Sequence, residues 1–229
     1  MRISSMVRGI CVGTFTVLAT IVALPSASQA QTEFFNWTSD HCTGGCNPSG
    51  TVTVTQSGST LTFVSTLGDS LEYLGGNGAG IAATFAFELS GISSVTFSAI
   101  TDGSQTFAPN ATTPTSIMMD GAGTYNFGVT CTTCGPGGSN PDGNSISFSI
   151  TAAGLSLANL VPVAGSFFAA DVISCKTGVT SCSGTGTGNT GVIDATLVPG
   201  PIVGAGLPGL VMACGGLIAL ARRRRQRTV

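Results

Sequence analysis

Charged side chains are scarce in this sequence. Only 8% of the 229 residues are Asp, Glu, Lys or Arg, and the chain has one histidine and one tryptophan. Its single lysine is Lys176, and every arginine lies near one of the two ends. Residues 31–197 therefore carry ten acidic side chains against one basic side chain, a net charge of −9. A surface of this sign repels phosphate backbones, which argues against nucleic acid as a partner.

Long helical patterns are also lacking between the two ends. The chain there is rich in Gly, Ser and Thr, with apolar residues at alternate positions, as in Thr51-Val52-Thr53-Val54-Thr55. A second alternating segment, residues 60–64, follows Ser57-Gly58-Ser59. Alternation with period two on both sides of a glycine-containing turn predicts a β-hairpin.

The same strand signature recurs along the middle of the chain. Residues 83–89 alternate and lead through Ser90-Gly91 into residues 94–98, and further strands are predicted at 124–129, 145–150, 167–173 and 192–197. A short helical turn is predicted within residues 158–163. About seven or eight short strands in one domain are typical of an all-β fold. We expect a single antiparallel β-sandwich, jelly-roll or immunoglobulin-like, over residues 31–197.

The N-terminus has the pattern of a secretory signal peptide. Arg2 and Arg8 precede an uncharged apolar run from Gly9 to Leu24, and Ser28-Gln29-Ala30 places small residues before a cleavage site. This order of a basic, an apolar and a small-residue region predicts that residues 1–30 are removed during export.

Six cysteines form three close pairs in the exported part. The pairs are Cys42/Cys46, Cys131/Cys134 and Cys175/Cys182, while Cys11 and Cys214 lie in the apolar end segments. An even number of cysteines in an exported domain predicts disulfides, and local pairing is the simplest of the connectivities. A zinc site built from the first two pairs, with His41 as a spare ligand, is the alternative.

Few side chains suit catalysis. A Ser-His-Asp hydrolase would have to use His41, but no G-x-S-x-G elbow surrounds any serine. Residues 140–144, Asn-Pro-Asp-Gly-Asn, resemble the start of a calcium loop, but Thr151 stands where an EF-hand needs glutamate. We predict a hairpin turn around Asp142-Gly143, and neither a metal nor a cofactor.

Aromatic residues cluster just after the predicted cleavage site. Phe34, Phe35 and Trp37 lie there, and Phe167-Phe168 form a second group. Exposed aromatics on a sheet can bind sugars, but aromatics also supply much of the buried area of a small core. We favour core packing and keep carbohydrate binding as an alternative.

The C-terminus has three parts: a proline motif, an apolar segment and a basic end. The motif is Val198-Pro199-Gly200-Pro201, residues 202–221 are uncharged, and Arg222, Arg223, Arg224 and Arg225 follow within the basic tail 222–229. Twenty helical residues span about 30 Å, enough to cross a bilayer, and the arginines would remain on the cytoplasmic side. Pro208 and five glycines within this segment make it a poor permanent anchor.

This three-part tail resembles the PEP-CTERM sorting signal of Gram-negative bacteria, in its VPGP-type variant. The resemblance covers residues 198–229 and departs from the family name at Gly200, where the family has glutamate. It implies recognition by an exosortase, an integral-membrane cysteine peptidase or transpeptidase. It further implies surface display or release, often in bacteria that make exopolysaccharide.

Together these patterns predict an exported protein without enzymatic activity. The Sec translocation machinery would carry the chain to an inner-membrane intermediate, and exosortase processing would deliver it to the cell surface or extracellular matrix. The alternatives are a carbohydrate-binding module associated with exopolysaccharide and a hydrolase that uses His41.

Overall fold

The computed structural model describes residues 30–76, 82–102, 104–135, 140–175 and 188–199. Within these ranges the chain is all β, and its only helical element is one 3₁₀ turn at Leu157–Asn159. The prediction of an antiparallel all-β fold is confirmed. The predicted signal peptide and the predicted membrane segment lie outside the described residues. No helix among the residues described is long and apolar enough to cross a membrane.

Thirteen strands make up the described fold. They are β1 (Gln31–Asp40), β2 (Gly50–Ser57), β3 (Thr60–Leu67), β4 (Leu71–Tyr73), β5 (Phe85–Phe87), β6 (Thr96–Phe97), β7 (Phe107–Pro109), β8 (Ile117–Met119), β9 (Gly123–Tyr125), β10 (Phe127–Cys131), β11 (Ile146–Thr151), β12 (Phe168–Ser174) and β13 (Thr190–Leu197).

One sheet contains all of these strands except β8 and β9. Its order is β6-β11-β3-β2-β1-β13-β12-β5-β10-β7, and β4 pairs with the same edge of β12 that pairs with β5. The strands on either side of the midpoint are β1 and β13, the first and last of the fold. The two outer strands come close, because the N–H of Val95, just before β6, donates to the carbonyl of Thr112, just after β7 (2.8 Å). The sheet is therefore nearly closed.

Aromatic rings hold the curled sheet together from inside. Phe63 on β3 lies 5.0 Å from Phe87 on β5, measured between ring centroids, although these strands are far apart in the sheet order. Phe148 on β11 lies 4.9 Å from Phe63 and 5.9 Å from Phe85. Rings from two distant parts of the sheet thus share one buried core, whose large apolar area drives the curling.

A smaller cluster lies on the outer face of the sheet. Ala86, Ala169 and Val192 present short side chains there, and the β8–β9 hairpin covers them with Ile117, Met119 and Tyr125. Because the sheet residues are small, the hairpin can approach closely without leaving a cavity.

The predicted hairpin is confirmed, and most of the predicted strands are present. Ser57 pairs with Thr60, and Gly58 takes φ +58° at the first position of the two-residue turn, where glycine is favoured. The predicted strand at 124–129 is divided at Asn126 between β9 and β10. Strands β1, β4, β7 and β8 were not predicted. Three of them have only three residues, and in β1 the adjacent Phe34 and Phe35 interrupt the alternation of polar and apolar residues.

Two segments with turn-like sequences do not form hairpins. The segment after Ser90-Gly91 does not pair back, because β5 pairs with β10 and β12 while β6 pairs with β11. Asp142 does not form a hairpin turn either, since its backbone pairs with Tyr73 of β4. In both places partners distant in sequence replaced the local turn.

We expect Phe63→Ala to lower the free energy of unfolding by about 3–5 kcal/mol, because it removes a fully buried ring from the centre of the core. Urea unfolding of the full-length protein measures this loss. Phe34→Ala is the matched control: that ring is 52% exposed, and its loss should change stability by less than about 0.5 kcal/mol. Equal losses in the two variants would contradict the assignment of the core.

Candidate functional site

Two of the predicted local disulfides are present. Cys42 is bonded to Cys46, and Cys131 is bonded to Cys134. Cys175 also belongs to a disulfide, while its predicted partner Cys182 lies outside the described residues. Closing loops this short removes little entropy from the unfolded chain, so these bridges fix turns more than they hold the sheet together.

The zinc alternative is wrong for the first two cysteine pairs. Asp40, Cys42 and Cys46 lie close enough together to suggest a metal site. The sulfurs of Cys42 and Cys46 are bonded to each other, however, and so are those of Cys131 and Cys134. Zinc binds thiolates rather than disulfide sulfur.

Asp40 instead organises the loop that the first disulfide closes. Its slight burial would raise its pKa, but backbone N–H groups of Cys42, Cys46 and Asn47 donate to the carboxylate and hold the pKa below its usual range. The shortest of these bonds, from Cys46, is 2.6 Å. Asp40 therefore has a structural role that the sequence pattern did not reveal.

His41 forms a pair with a carboxylate, as a hydrolase would require. Its Nε2–H donates to Oδ2 of Asp194 at 3.0 Å, and Asp194 on β13 is 5% exposed. The other oxygen of Asp194 is buried and has no hydrogen-bond partner among the described residues. His41 is also the only basic side chain in the described part of the chain.

Tyr125 lies near this pair from the covering hairpin. Its hydroxyl is buried without a described partner, and burial, followed by the negative charges of Asp194 and Glu88, raises the pKa of the phenol. Tyr125 therefore remains neutral and cannot act as a general base at physiological pH.

No nucleophile completes the pair within the described residues. No serine, threonine or cysteine there is hydrogen-bonded to Nδ1 of His41, and Gly121 packs so closely that an added Cβ would lie 2.7 Å from that nitrogen. A nucleophile must lie within hydrogen-bonding reach of its base. In the described residues, His41 instead connects the β8–β9 hairpin, through Gly121, to Asp194 on β13.

The aromatic group near the start of the fold is split between the two faces of β1. Phe35 and Trp37 are 0% and 3% exposed and belong to the core, and Phe168 is also fully buried. Phe34 points outward and is 52% exposed. Phe167 is half-buried and packs against the core. Core packing is therefore confirmed for most of these aromatics, and Phe34 is the most exposed of them.

Phe34 belongs to a surface made almost entirely of hydroxyl groups, which we call the hydroxyl face. It comprises outward residues of four neighbouring strands in cross-strand register: Thr32, Phe34, Asn36, Thr51, Thr53, Thr55, Ser57, Thr60, Thr62, Val64, Thr66, Ser145, Ser147, Ser149 and Thr151. None of these residues is charged. Neighbouring strands place the side chains about 4.8 Å apart, and alternate residues lie about 6.6 Å apart along a strand.

Hydrogen bonds between strands order part of the hydroxyl face. Thr62 bonds to Ser149 at 2.8 Å, and Thr60 bonds to Thr151 at 2.8 Å. A hydroxyl has one donor and two acceptor positions, so each bonded pair keeps hydrogen-bonding capacity toward solvent. The face can therefore bind a partner that both donates and accepts.

The proline motif begins where the described fold ends. The N–H of Val198 donates to the carbonyl of Phe34 at 2.8 Å, and Pro199 is the last described residue. The rest of the motif, Gly200 and Pro201, and the four arginines Arg222, Arg223, Arg224 and Arg225 lie outside the described residues.

No protein-family model, curated protein or solved structure matches this chain.

A buried carboxyl on β12 was also missed by sequence reasoning. Asp171 is 3% exposed, and burial raises its pKa to about 7, although the N–H of Gly76 donates to it at 3.1 Å and lowers the pKa somewhat. The sequence offered one weak signal, an aspartate inside a strand of otherwise apolar residues.

Asp171 should make the protein more stable in mild acid. Because its pKa rises from 3.8 to about 7 on folding, the folded protein retains a proton that the unfolded chain loses. This stabilisation is complete below about pH 4 and disappears as the pH rises through 7. We expect Asp171 to contribute about 2–3 kcal/mol at pH 5 and almost nothing at pH 8.

Urea unfolding of wild type and Asp171→Asn at pH 5 and pH 8 tests this expectation. The variant should lose less stability than wild type between the two pH values. Asp120→Asn, at an exposed turn, serves as the control and should follow wild type. Identical pH dependence in all three proteins would contradict the assignment.

Proposed function

We propose that this chain is an exported, non-enzymatic surface or matrix protein that an exosortase processes at Val198-Pro199-Gly200-Pro201. Its signal peptide directs it through the Sec machinery, and its C-terminal helix, residues 202–221, holds it in the inner membrane until processing. It is then displayed at the cell surface or released.

The strongest support is the position at which the two end segments leave the fold. Strands β1 and β13 are antiparallel neighbours, with Phe35 paired to Leu197. The predicted signal-peptide junction before Gln31 lies only about 10 Å along β1 from Phe34, the partner of Val198. In a precursor that still carries both membrane-directed segments, this end of the sheet can therefore face the membrane while every strand stays paired.

The sequence of the motif also suits processing. Pro199 and Pro201 disfavour a helical backbone at the residues before them, Val198 and Gly200, and so favour an extended motif. An extended segment of this kind is what a processing enzyme would require of its substrate. Cleavage after Val198 would remove no strand.

The disulfides agree with export. Bridges such as Cys42–Cys46 and Cys131–Cys134 persist in oxidising compartments and are rare in the cytosol.

Mass spectrometry of the mature protein tests this proposal. The full chain is expressed in a Gram-negative host with an exosortase and in the same host without it. We expect the mature protein to start at Gln31 in both hosts. Residues 202–229 should be missing only in the host that has the exosortase. Without the enzyme, the chain should end at Val229.

A motif variant and a matched proline control sharpen the test. Pro199→Ala with Pro201→Ala should block processing, while Pro114→Ala, in an exposed loop of the body, should be processed like wild type. A tail that stays intact in both hosts would overturn the proposed processing.

The hydroxyl face favours a second function, binding of a neutral exopolysaccharide. Acidic polymers are disfavoured, because residues 31–197 carry a net charge of −9 and the face has no basic group. A neutral sugar chain can exchange hydrogen bonds with the threonine and serine hydroxyls, and Phe34, which is paired with Thr53, offers an apolar contact for a sugar ring.

We expect Phe34→Ala and Thr53→Glu to weaken binding to a neutral polysaccharide by about tenfold or more, because they remove the apolar contact and place a charge in the face. Isothermal titration against dextran, galactomannan and alginate measures this effect. Met118→Ala and Thr124→Glu, both exposed on the β8–β9 hairpin, should bind like wild type. Equal affinity of all variants, or preference for alginate, would contradict this function.

A further inference from the structure

Two loops that are distant in sequence bring two carboxyl groups together beside β4. Asp102 follows Thr101, whose backbone exchanges two hydrogen bonds of 2.8 Å with Ser147 on β11. Asp142 exchanges backbone hydrogen bonds of 2.7 and 3.0 Å with Tyr73. With both backbones fixed to the sheet, the side chains of Asp102 and Asp142 lie within hydrogen-bonding reach of each other.

Asp142 is buried with half of its carboxylate unsatisfied. The residue is 1% exposed, and its Oδ1 accepts from the backbone N–H and the side-chain amide of Asn144, at 3.1 and 2.8 Å, and from the hydroxyl of Ser104 at 3.3 Å. Its Oδ2 is buried and receives no hydrogen bond from any described residue. A buried carboxylate oxygen without a donor is unfavourable and requires a proton or a cation.

No basic side chain of the described residues can supply the missing charge. His41, the only candidate there, donates to Asp194. A third buried carboxyl, Glu72, lies near Gly143, where an added Cβ would be 3.5 Å from its Oε1. Among the described residues, the groups around Asp142 therefore supply oxygen atoms and no basic side chain.

We propose that Asp102 and Asp142 form a binding site for Ca²⁺, completed by oxygens of Ser104 and Asn144. Calcium binds six to eight oxygen ligands from carboxylates, carbonyls and water in a flexible geometry. Asn144 donates its amide to Asp142 and to Ser104 Oγ (2.8 Å), and a half-turn of that amide would present its oxygen instead.

The site differs from an EF-hand in where its second carboxylate comes from. The run Asn140-Pro141-Asp142-Gly143-Asn144 resembles the start of such a loop, yet Thr151 replaces the closing glutamate. Here Asp102, from a separate loop, takes the place of that distal carboxylate. The fold thus places a carboxylate from another loop where the sequence of this loop has none.

Burial, and next the contact with Asp102, raise the pKa of Asp142 to about 6, while hydrogen bonds from Asn144 lower it. Asp102 and Tyr73 are titratable groups that face it.

Calcium titration of the full-length protein, purified in detergent and treated with EDTA, tests the proposal. At pH 7.5 we expect saturable binding of one Ca²⁺ by isothermal titration and a rise of several degrees in Tm. Both effects should be lost in Asp102→Asn and Asp142→Asn. Asp69→Asn, an exposed acid in the turn before β4, should retain them.

Measuring the stability of the calcium-free proteins distinguishes a variant that has lost the site from one that has lost the fold. Without calcium at pH 7.5, Asp142→Asn should be at least as stable as wild type, because it removes a buried negative charge. Wild-type protein without saturable binding at millimolar Ca²⁺, or binding that persists in both variants, would overturn the proposal. A change of Tm with pH but not with Ca²⁺ would also overturn it and would leave a shared proton between the two aspartates.

Discussion

Contact between aromatic rings from two distant parts of one sheet is the interaction on which the rest of this structure depends. Phe63 and Phe148 belong to strands near one end of the strand order, and Phe87 and Phe168 belong to strands beyond its midpoint. These rings can meet only if the sheet curls until it nearly closes. Curling buries the largest apolar side chains of a chain that has few charges and no described α-helix to cover a flat sheet.

Curling also buries carboxylates where basic side chains are absent. Asp194 is stabilised by the single histidine. Asp142 and Asp171 have no basic partner among the described residues, and their pKa values rise to about 6 and about 7. A carboxylate that cannot find a positive partner inside a fold retains its proton or binds a cation. The acidic composition of the chain therefore has its main consequences inside the fold, and the hydroxyl face remains free of charge.

The local pattern predicted those elements whose partners are also local. The β2–β3 hairpin followed from the alternation of Val and Thr around Gly58, and two disulfides followed from the short spacing of their cysteines. The hydroxyl face could have been predicted as well, because the alternation that places Val52 and Val54 inside places Thr51, Thr53 and Thr55 outside. At Asp142-Gly143 the predicted hairpin turn is absent, because Asp142 pairs with the distant Tyr73.

The sequence alone determined the all-β class, the chemistry of the exposed strand faces and the pattern of the two end segments. Each of these depends on neighbouring residues and on the period of the strand. Only the tertiary structure decided that His41 meets Asp194, that Asp102 meets Asp142, and that the start of β1 lies near the end of β13. These pairs are separated by tens of residues or more, and their proximity follows from the order of strands in the sheet. That order is set by the common burial of the aromatic core, which no single stretch of sequence encodes.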